Sequence, residues 1–142
     1  MAPLVSGITK IKGLNHLEVD FSRSKVETEA FEMLSDAIST HSLNSITFCV
    51  ESMKINPQNI ANLANCLKNQ KQLKHLKLNL NFNEIDVDDV KLLVEALNEK
   101  SLESLTLRFK GCGLPRDAFK KLCSWLQSGV EIYDKLVIDL TM

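Results

Sequence analysis

The stretch LKHLKLNLNFNEIDVDDVKLLVEAL, residues 73–97, contains two periodicities one after the other. Its first part alternates apolar with polar residues, which is the pattern of a strand that buries one face. Its second part places apolar residues three and four positions apart, which gives a helix a single apolar stripe. The alternating residues are Leu76, Leu78 and Leu80, and the stripe consists of Val90, Leu93 and Leu97. The stretch therefore predicts a strand followed by a helix.

The same pattern occurs four times, in repeats that start near residues 14, 43, 73 and 102 and are therefore 29, 30 and 29 residues apart. The helical stripes of the other three repeats are Phe31, Leu34 and Ile38; Ile60, Leu63 and Leu67; and Phe119, Leu122 and Leu126. One strand–helix unit cannot bury both of its apolar faces alone, whereas stacked units bury them in one continuous core. Successive strands must then be parallel, with the helices as right-handed crossovers.

The two ends of the chain complete the predicted architecture. Alternating apolar residues predict a terminal strand over residues 132–140, while residues 1–13 form a lead-in or a partial repeat. The apolar positions of that strand are Tyr133, Leu136, Ile138 and Leu140. We therefore expect a single α/β domain over residues 1–142. It would be a right-handed solenoid with about five parallel strands on its concave face and four helices on its convex face.

Three of the predicted helices have recognisable starts. Asn56 precedes Pro57, which is the order of an N-cap followed by proline at the first helical position. Asp86 occupies the equivalent position of the next repeat and predicts a second side-chain cap. Pro115 holds that position in the last repeat, where it can start a helix but cannot cap it with its side chain.

Two core segments resemble a known family. They are Leu78-x-Leu80-x-x-Asn83-x-Ile85 and Phe109-x-x-Cys112-x-Leu114. In these residues the chain resembles the leucine-rich-repeat family, and in its 29–30-residue repeats it is similar to the ribonuclease-inhibitor-like class. The resemblance covers about residues 14–140 and implies a solenoid that binds other proteins. It also implies that the side chain at the asparagine position hydrogen-bonds the turn after the strand, a pattern from which Ser24 and Met53 depart.

The composition argues against several classes of partner. The 142 residues carry a net charge of −1, and three of the 17 basic residues are arginines, so no nucleic-acid partner is expected. No apolar run approaches the roughly 20 residues that span a bilayer, so no membrane insertion is expected. The four cysteines form no C-x-x-C pair, which favours a reduced, cytoplasmic location. The extra apolar pair before the core, such as Leu73 and Leu76, resembles arrays common in ciliated protists, so a cytoskeletal or ciliary location is the alternative.

We expect neither catalysis nor a cofactor, a metal site or a small-molecule substrate. No phosphate-binding loop, nucleophile elbow or zinc-protease motif occurs in the sequence. His16 and His75 occupy the same repeat position two units apart, so they would lie roughly 10 Å apart, too far to share a metal ion. Cys49 has no histidine at a neighbouring outward position, so we expect a structural thiol rather than a nucleophile.

The polar strand positions form the concave surface in a fold of this kind. They are acidic over the first two units and basic over the next two, which predicts a bipolar docking surface for another protein subunit. The residues with a predicted binding role there are Glu18, Asp20, Glu51, Lys77, Asn79, Arg108 and Lys110. The alternative is a solvent-exposed sheet face without a partner, since charged runs usually have none.

The C-terminal end is a second predicted contact. Trp125 takes a helix position that is small in the other units, so its indole either folds over the open end or projects from it as an anchor. The small equivalents are Ala37, Cys66 and Ala96. Leu136 and Ile138 belong to a terminal strand with an unpaired edge, which invites pairing with another chain. We predict that Trp125, Leu136 and Ile138 contact a neighbouring subunit or a second copy of the chain.

Taken together, these predictions favour a non-catalytic interaction module, a small structural subunit of a larger intracellular assembly. The first alternative is a regulator of an enzyme, either an inhibitor-type protein or a GTPase activator. A GTPase-activating branch of the resembled class uses a turn arginine, and Arg23 lies in the turn after the first strand. The second alternative, a substrate adaptor for ubiquitination, needs a recruitment motif that residues 1–13 are too short to hold.

Overall fold

The computed structural model describes residues 1–98 and 100–142. In this part of the chain, five helices alternate with five strands. In chain order they are α1 (Ala2–Lys10), β1 (His16–Asp20), α2 (Thr28–Ser39), β2 (Ser45–Cys49), α3 (Pro57–Lys68), β3 (His75–Asn79), α4 (Val87–Leu97), β4 (Ser101–Arg108), α5 (Arg116–Gln127) and β5 (Glu131–Asp139). Each of the first four strands forms a unit with the helix that follows it, and these are units one to four.

The strands form one parallel sheet in the order β1-β2-β3-β4-β5. Equivalent positions of the repeat lie directly opposite one another across the sheet. One such row consists of Leu17, Ile46, Leu76, Leu105 and Leu136. The predicted α/β class with five parallel strands is confirmed, including the terminal strand, and the helices pack consecutively on one another along the array.

The prediction of four helices is wrong, because the described residues form five. The additional helix is α1, which lies in the segment predicted to be a lead-in or a partial repeat. Val5 and Ile8 pack against the core, and α1 contacts α2 as the later helices contact one another. No strand precedes α1 in the described chain, so the strand–helix pattern that identified the other helices could not identify this one.

The core lies between the sheet and the helices. The predicted helical stripes are buried in units one to three, where Phe31, Ile60 and Val90 are each 1% exposed. Unit four departs from this prediction: Phe119, at the equivalent position, is half-exposed, and Leu126 is only partly buried. The other three positions are covered by the following unit, whereas no helix follows β5 in the described chain to cover α5. The residues that α5 buries are Ala118, Leu122 and Trp125.

An irregularity in β5 corrects the predicted alignment of the terminal strand. Ile132, and not Tyr133, lies opposite Leu102, because the register shifts by one residue before Lys135 pairs with Ser104. Ile132 packs against the core, whereas Tyr133 is exposed. A bulge of this kind lets an extra residue be accommodated without turning the rest of the strand over. Beyond the bulge the predicted pairing is confirmed.

The helix caps form as the sequence predicts. Asn56 and Asp86 accept hydrogen bonds from the backbone N–H groups of Asn59 and Asp89, at 2.8 and 2.9 Å. The side chains of Asn59 and Asp89 accept in return from the cap residues, so both helix starts are capping boxes. Pro115 makes no side-chain cap.

Asn83 hydrogen-bonds the turn after β3, as the resemblance implies, and it also links units two and three. Its Nδ2 donates to the carbonyl oxygens of Val50 and Leu80, at 2.8 and 3.0 Å. Its Oδ1 accepts from the backbone N–H groups of Met53 and Ile55, at 3.1 and 3.3 Å. The turn after β2 is therefore held by the asparagine of the next unit, although Met53 itself cannot form such bonds.

The turns after the strands share one left-handed residue. Its positions are Arg23, Ser52, Phe82 and Gly111, with φ between 55° and 66°. A side chain at Gly111 would meet the Phe82 ring, because a Cβ at this position would clash with the ring carbons. The Phe82 ring therefore covers Gly111, and the backbone of Phe82 itself is in a left-handed conformation that bulky residues rarely adopt.

Candidate functional site

The side of the sheet that faces away from the helices is called here the open face. Along β2 and β3 buried residues alternate with more exposed ones, and the exposed ones form this face. Its three rows on the strands are His16, Ser45, His75, Ser104 and Lys135; Glu18, Thr47, Lys77, Thr106 and Val137; and Asp20, Cys49, Asn79, Arg108 and Asp139. Backbone hydrogen bonds continue the ladder through a fourth row that includes Glu51, Asn81 and Lys110.

The open face brings together the seven residues with a predicted concave-face role. Acidic side chains project from β1 and from the turn after β2, and basic ones project from β3, from β4 and from the turn after β4, so the charges follow units one and two and units three and four as the alternation predicts. Glu51 accepts a hydrogen bond from Nδ2 of Asn79 at 3.2 Å, which joins the two halves of the face. Their role in binding stays a prediction.

Charges on the two halves of the face are poorly neutralised within the chain. Among the described residues, no carboxylate oxygen lies within 4.0 Å of a side-chain nitrogen of Lys77, Arg108 or Lys110. Glu51 is the exception on the acidic side, with Oε1 at 3.8 Å from Nη2 of Arg23. Arg108 also keeps its Nε–H buried without an acceptor in the described structure.

Aspartates stand at both ends of the row that contains Arg108. The side chain and backbone of Ser22 hydrogen-bond Asp20 and hold the pKa of its carboxyl below the ordinary value. The backbone and hydroxyl of Thr141 do the same for the pKa of Asp139, and the nearby Arg108 adds to the effect. Both aspartates are therefore ionised at neutral pH, and they place negative charge on both edge strands.

Cys49 lies in the middle of the open face, within the acidic half. Burial raises the pKa of its thiol, and the nearby Asp20 raises it further. A thiol in such surroundings is a poor nucleophile at neutral pH, because little of it is thiolate. Cys66 is more deeply buried, and burial raises its pKa to about 12.

The histidines of the open face are kept apart. His16 and His75 share a row, and Ser45 on β2 lies between them. The His75 ring is already engaged, with Nδ1 at 2.9 Å from the hydroxyl of Ser104 and Nε2 at 3.3 Å from Oε2 of Glu103. This pairing with Glu103 was not predicted from the sequence, because Glu103 lies at the start of β4, outside the alternating core.

The C-terminal end exposes apolar side chains of α5 and β5. Leu136 and Phe119 are half-exposed and Ile138 is partly buried, so the predicted strand residues do reach the surface. Trp125 is placed differently from either position considered for it. Its indole is buried and lines a groove with Val94 and other residues of α4, rather than covering the open end or projecting from it. Phe119 was missed as a surface residue because its spacing is that of a core position.

Arg23 lies where the first turn leaves the open face. Its backbone is left-handed, with φ at 61°, and its side chain is 81% exposed. The guanidinium approaches Glu51 at 3.8 Å, which is a weak, solvent-exposed contact. Phe82, which follows Ser52 in the same row of turn residues, is a second exposed side chain, and Lys110 Nζ lies 5.9 Å from its ring centroid.

The described residues contain no group of three or more histidine, cysteine, aspartate or glutamate side chains that could hold a metal ion. Within the same part of the chain, no helix has both the length and the apolar character needed to cross a membrane. No protein-family model matches the chain, and no curated protein is significantly similar to it.

Proposed function

We propose that the chain is a leucine-rich-repeat solenoid whose open face binds another protein subunit, without catalysis. The repeats of 29–30 residues and the hydrogen bonds of Asn83 support membership of the ribonuclease-inhibitor-like class. In this proposal the protein is a small structural subunit of an intracellular assembly. It needs no cofactor, and it does not act on nucleic acid or on a small molecule.

The observation that carries this proposal is the poorly neutralised, bipolar charge of the open face. Glu18 and Asp20 lie two or more strands away from Lys77 and Arg108, so these acidic and basic side chains do not form contact pairs with each other. A partner with basic groups over β1 and β2 and acidic groups over β3 and β4 would complement it. Such complementarity mainly sets specificity and the rate of association.

Charge reversal tests this proposal. Arg108→Glu combined with Lys110→Glu removes the basic half of the face, and the matched control reverses Lys68 and Lys91 on α3 and α4. We expect the face variant to lose the stoichiometric partner captured by the wild-type chain from native extract, and the control to retain it. We also expect the remaining affinity to depend less on salt. Equal affinity for all three proteins over a range of salt would refute the open-face proposal.

A second contact is proposed at the C-terminal end, through Leu136 and Ile138. Both residues carry apolar surface towards solvent on an edge strand. Trp125, which was predicted to share this contact, is buried and lines a groove between α4 and α5. Hydrogen exchange of residues 136–140 with and without the captured partner tests the contact, since unprotected amides in the complex would refute it.

The second candidate function is regulation of an enzyme, and the exposure of Arg23 is the observation that favours it. A side chain that is 81% exposed on a left-handed turn residue can reach into the site of another protein. If it acts on a GTPase, the captured partner hydrolyses GTP faster with the wild-type chain than with Arg23→Ala. Equal rates would exclude the activator form of this candidate.

A further inference from the structure

A groove opens at the edge of the array where the helices end and the strands begin. It lies at the last turns of α3 and α4 and at the loops that lead from them into β3 and β4, and its volume is about 620 Å³. That volume is within the roughly 300–1,000 Å³ of typical ligand sites. None of the seven residues with a predicted concave-face role lines it, so the groove is separate from the open face.

Positive charge is concentrated in this groove, called here the lysine groove. The lysines that line it are Lys68, Lys71, Lys74 and Lys100. Among the described residues, no carboxylate oxygen lies within 4.0 Å of any of the four ammonium nitrogens. The segments 68–74 and 95–101 contain two acidic residues, Glu95 and Glu99, of which Glu99 lies outside the described residues. The four lysines therefore outnumber the acids of these segments two to one.

Lys100 and Lys74 hold the two loops of the groove together. Nζ of Lys100 donates to the carbonyl oxygen of Gln70 at 2.7 Å, and Nζ of Lys74 donates to that of Ser101 at 3.4 Å. An ammonium group has three N–H donors, so each of these lysines keeps donors that can bind a ligand. Burial lowers the pKa of Lys100, and the nearby Lys71 lowers it further. An anion in the groove would therefore stabilise a charge that its surroundings disfavour.

The helix dipole explains one of these lysines and not the others. Lys68 lies in the last turn of α3, where a cation complements the partial negative charge of the helix C-terminus. Lys71 and Lys74 lie beyond the helix, in the loop before β3. Because the effect of a helix end falls off within one turn, the charges of Lys71 and Lys74 are available to a ligand.

The two helix ends also determine which anion suits the groove. Both α3 and α4 present C-terminal carbonyl groups here, whereas phosphate sites are typically built from the N–H groups at helix N-termini. The described lining contains no arginine, the residue that binds phosphate in a bidentate manner. An acidic polypeptide, in contrast, brings carboxylates for the lysines and backbone N–H groups for the carbonyls.

We propose that the lysine groove binds an acidic segment, rich in aspartate and glutamate, of another protein. The carboxylates of this segment pair with the exposed Lys68 and Lys71 and with the partly buried Lys100, while its backbone N–H groups approach the ends of α3 and α4. The lysine groove is a second binding surface, and the proposal does not rest on the open face.

A fluorescein-labelled peptide of ten glutamates is the probe, and fluorescence anisotropy measures its affinity at physiological salt. Lys68→Gln with Lys71→Gln removes two charges from the groove, and the matched control, Lys77→Gln with Lys110→Gln, removes two from the open face. All four lysines are exposed and form no ion pair in the described structure, so both variants should fold like the wild type. We expect the groove variant to bind roughly five- to thirtyfold more weakly, as for the loss of two exposed ion pairs. The control should change by less than about twofold, because salt screens distant charges.

Amide NMR spectra locate the peptide independently. Its addition should shift the resonances of residues 71–74 and 100–102 and leave those of residues 77–80 and 107–110 unchanged. Equal losses of affinity in the two variants would mean that net charge, rather than the groove, binds the peptide. A loss in the control alone would place the peptide on the open face. Either result overturns the proposal, as does a wild type that fails to bind at millimolar peptide.

Inorganic tripolyphosphate distinguishes an acidic polypeptide from a phosphate ligand. It competes for the wild type with the labelled probe, beside an unlabelled glutamate peptide of the same net charge. We expect the glutamate peptide to displace the probe at the lower concentration. If tripolyphosphate does so instead, the groove is a phosphate site and the proposal is wrong.

The charge reversal of Lys68 and Lys91, which is the control for the open face, separates the two proposals. Because Lys68 belongs to the lysine groove, that variant should lose the glutamate peptide and keep the open-face partner. Failure of the open-face proposal would leave the peptide measurements unchanged, and failure of the groove proposal would leave the captured partner in place.

Discussion

Replacing Asn83 by alanine should strongly destabilise the protein. Asn83 is almost completely buried between units two and three. Its amide donates to the carbonyl of Val50 and accepts from the N–H groups of Met53 and Ile55, so the substitution leaves three backbone groups without their partner, two of them in buried hydrogen bonds and the third, at Met53, in a part-buried one. The carbonyl of Leu80 is affected less, because it also accepts from the thiol of Cys112 at 3.2 Å.

The magnitude follows from those three groups. An unsatisfied buried donor or acceptor costs about 1–3 kcal/mol, and partial access of water to the turn favours the lower part of that range. We therefore expect Asn83→Ala to lower the free energy of unfolding by roughly 3–5 kcal/mol, a large share of the roughly 5–15 kcal/mol typical of a domain. Asn83→Cys should lose less, because Cys112 shows that a thiol at this position can donate to the equivalent carbonyl. Cys112→Ala removes that single bond and should cost about 1 kcal/mol.

Equilibrium urea unfolding, followed both by far-UV circular dichroism and by fluorescence, measures these losses. Trp125 is the single tryptophan, so fluorescence reports on unit four while circular dichroism reports on the whole array. Because Asn83 connects units two and three, its removal should also separate the two transitions. A loss below about 1 kcal/mol for Asn83→Ala, with coincident transitions, would refute this reasoning, because water would then replace the amide at little cost.

Three further predictions concern the core, a thiol and a turn. Leu76→Ala and Leu105→Ala should each lower the free energy of unfolding by roughly 2–5 kcal/mol in urea melts, as for buried leucines generally, and a loss below about 1 kcal/mol at both would contradict the described register. Cys66, with a pKa of about 12 instead of 9.0, should react with iodoacetamide at pH 8 roughly a thousandfold more slowly than an ordinary thiol, because its thiolate is that much scarcer; labelling at the ordinary rate would disprove the burial. Gly111→Ala should cost about 1–2 kcal/mol because φ is 66° and the new Cβ meets the Phe82 ring, and the loss should be smaller in a Phe82→Ala background.

The repeat pattern predicted most of the array because each apolar period has a direct structural meaning. Period-two and helical spacing identified four strand–helix units and the terminal strand, and the positions of the charged residues on the open face follow from the same alternation. The resemblance also implied hydrogen bonds from the Asn83 side chain to the turn after its own strand, and the bond to the Leu80 carbonyl is of this kind, whereas the bonds of Asn83 and Cys112 to the carbonyls of Val50 and Leu80 one unit earlier were not predicted.

The features that the sequence did not reveal depend on what lies next to a residue in space. Phe119 has core spacing but lacks a covering helix in the described chain, and Ile8 has a core role without a strand before it. Ile132 takes the position opposite Leu102 that was predicted for Tyr133. The reason is a bulge, which shifts the register by one residue and leaves the alternation on either side unchanged. The left-handed backbone conformation of Phe82 could not be predicted, because phenylalanine rarely adopts it and no glycine or asparagine stands at this position. It occurs together with the packing of the Phe82 ring against Gly111 of the next unit.

The consecutive packing of helices and strands has a consequence for how the chain folds. In the described structure, the backbone of each strand lies beside neighbouring strands only, and the backbone of each helix lies beside neighbouring helices only. Every such contact therefore joins residues about one repeat apart, so the mean loop that must close during folding does not lengthen as units are added. Folding rates fall as the sequence separation between contacting residues rises. A longer array of such units therefore gains stability at each added interface, while the search for its native pairings does not become slower. Any adjacent pair of units can start the process, and the local stability of a pair determines which one does.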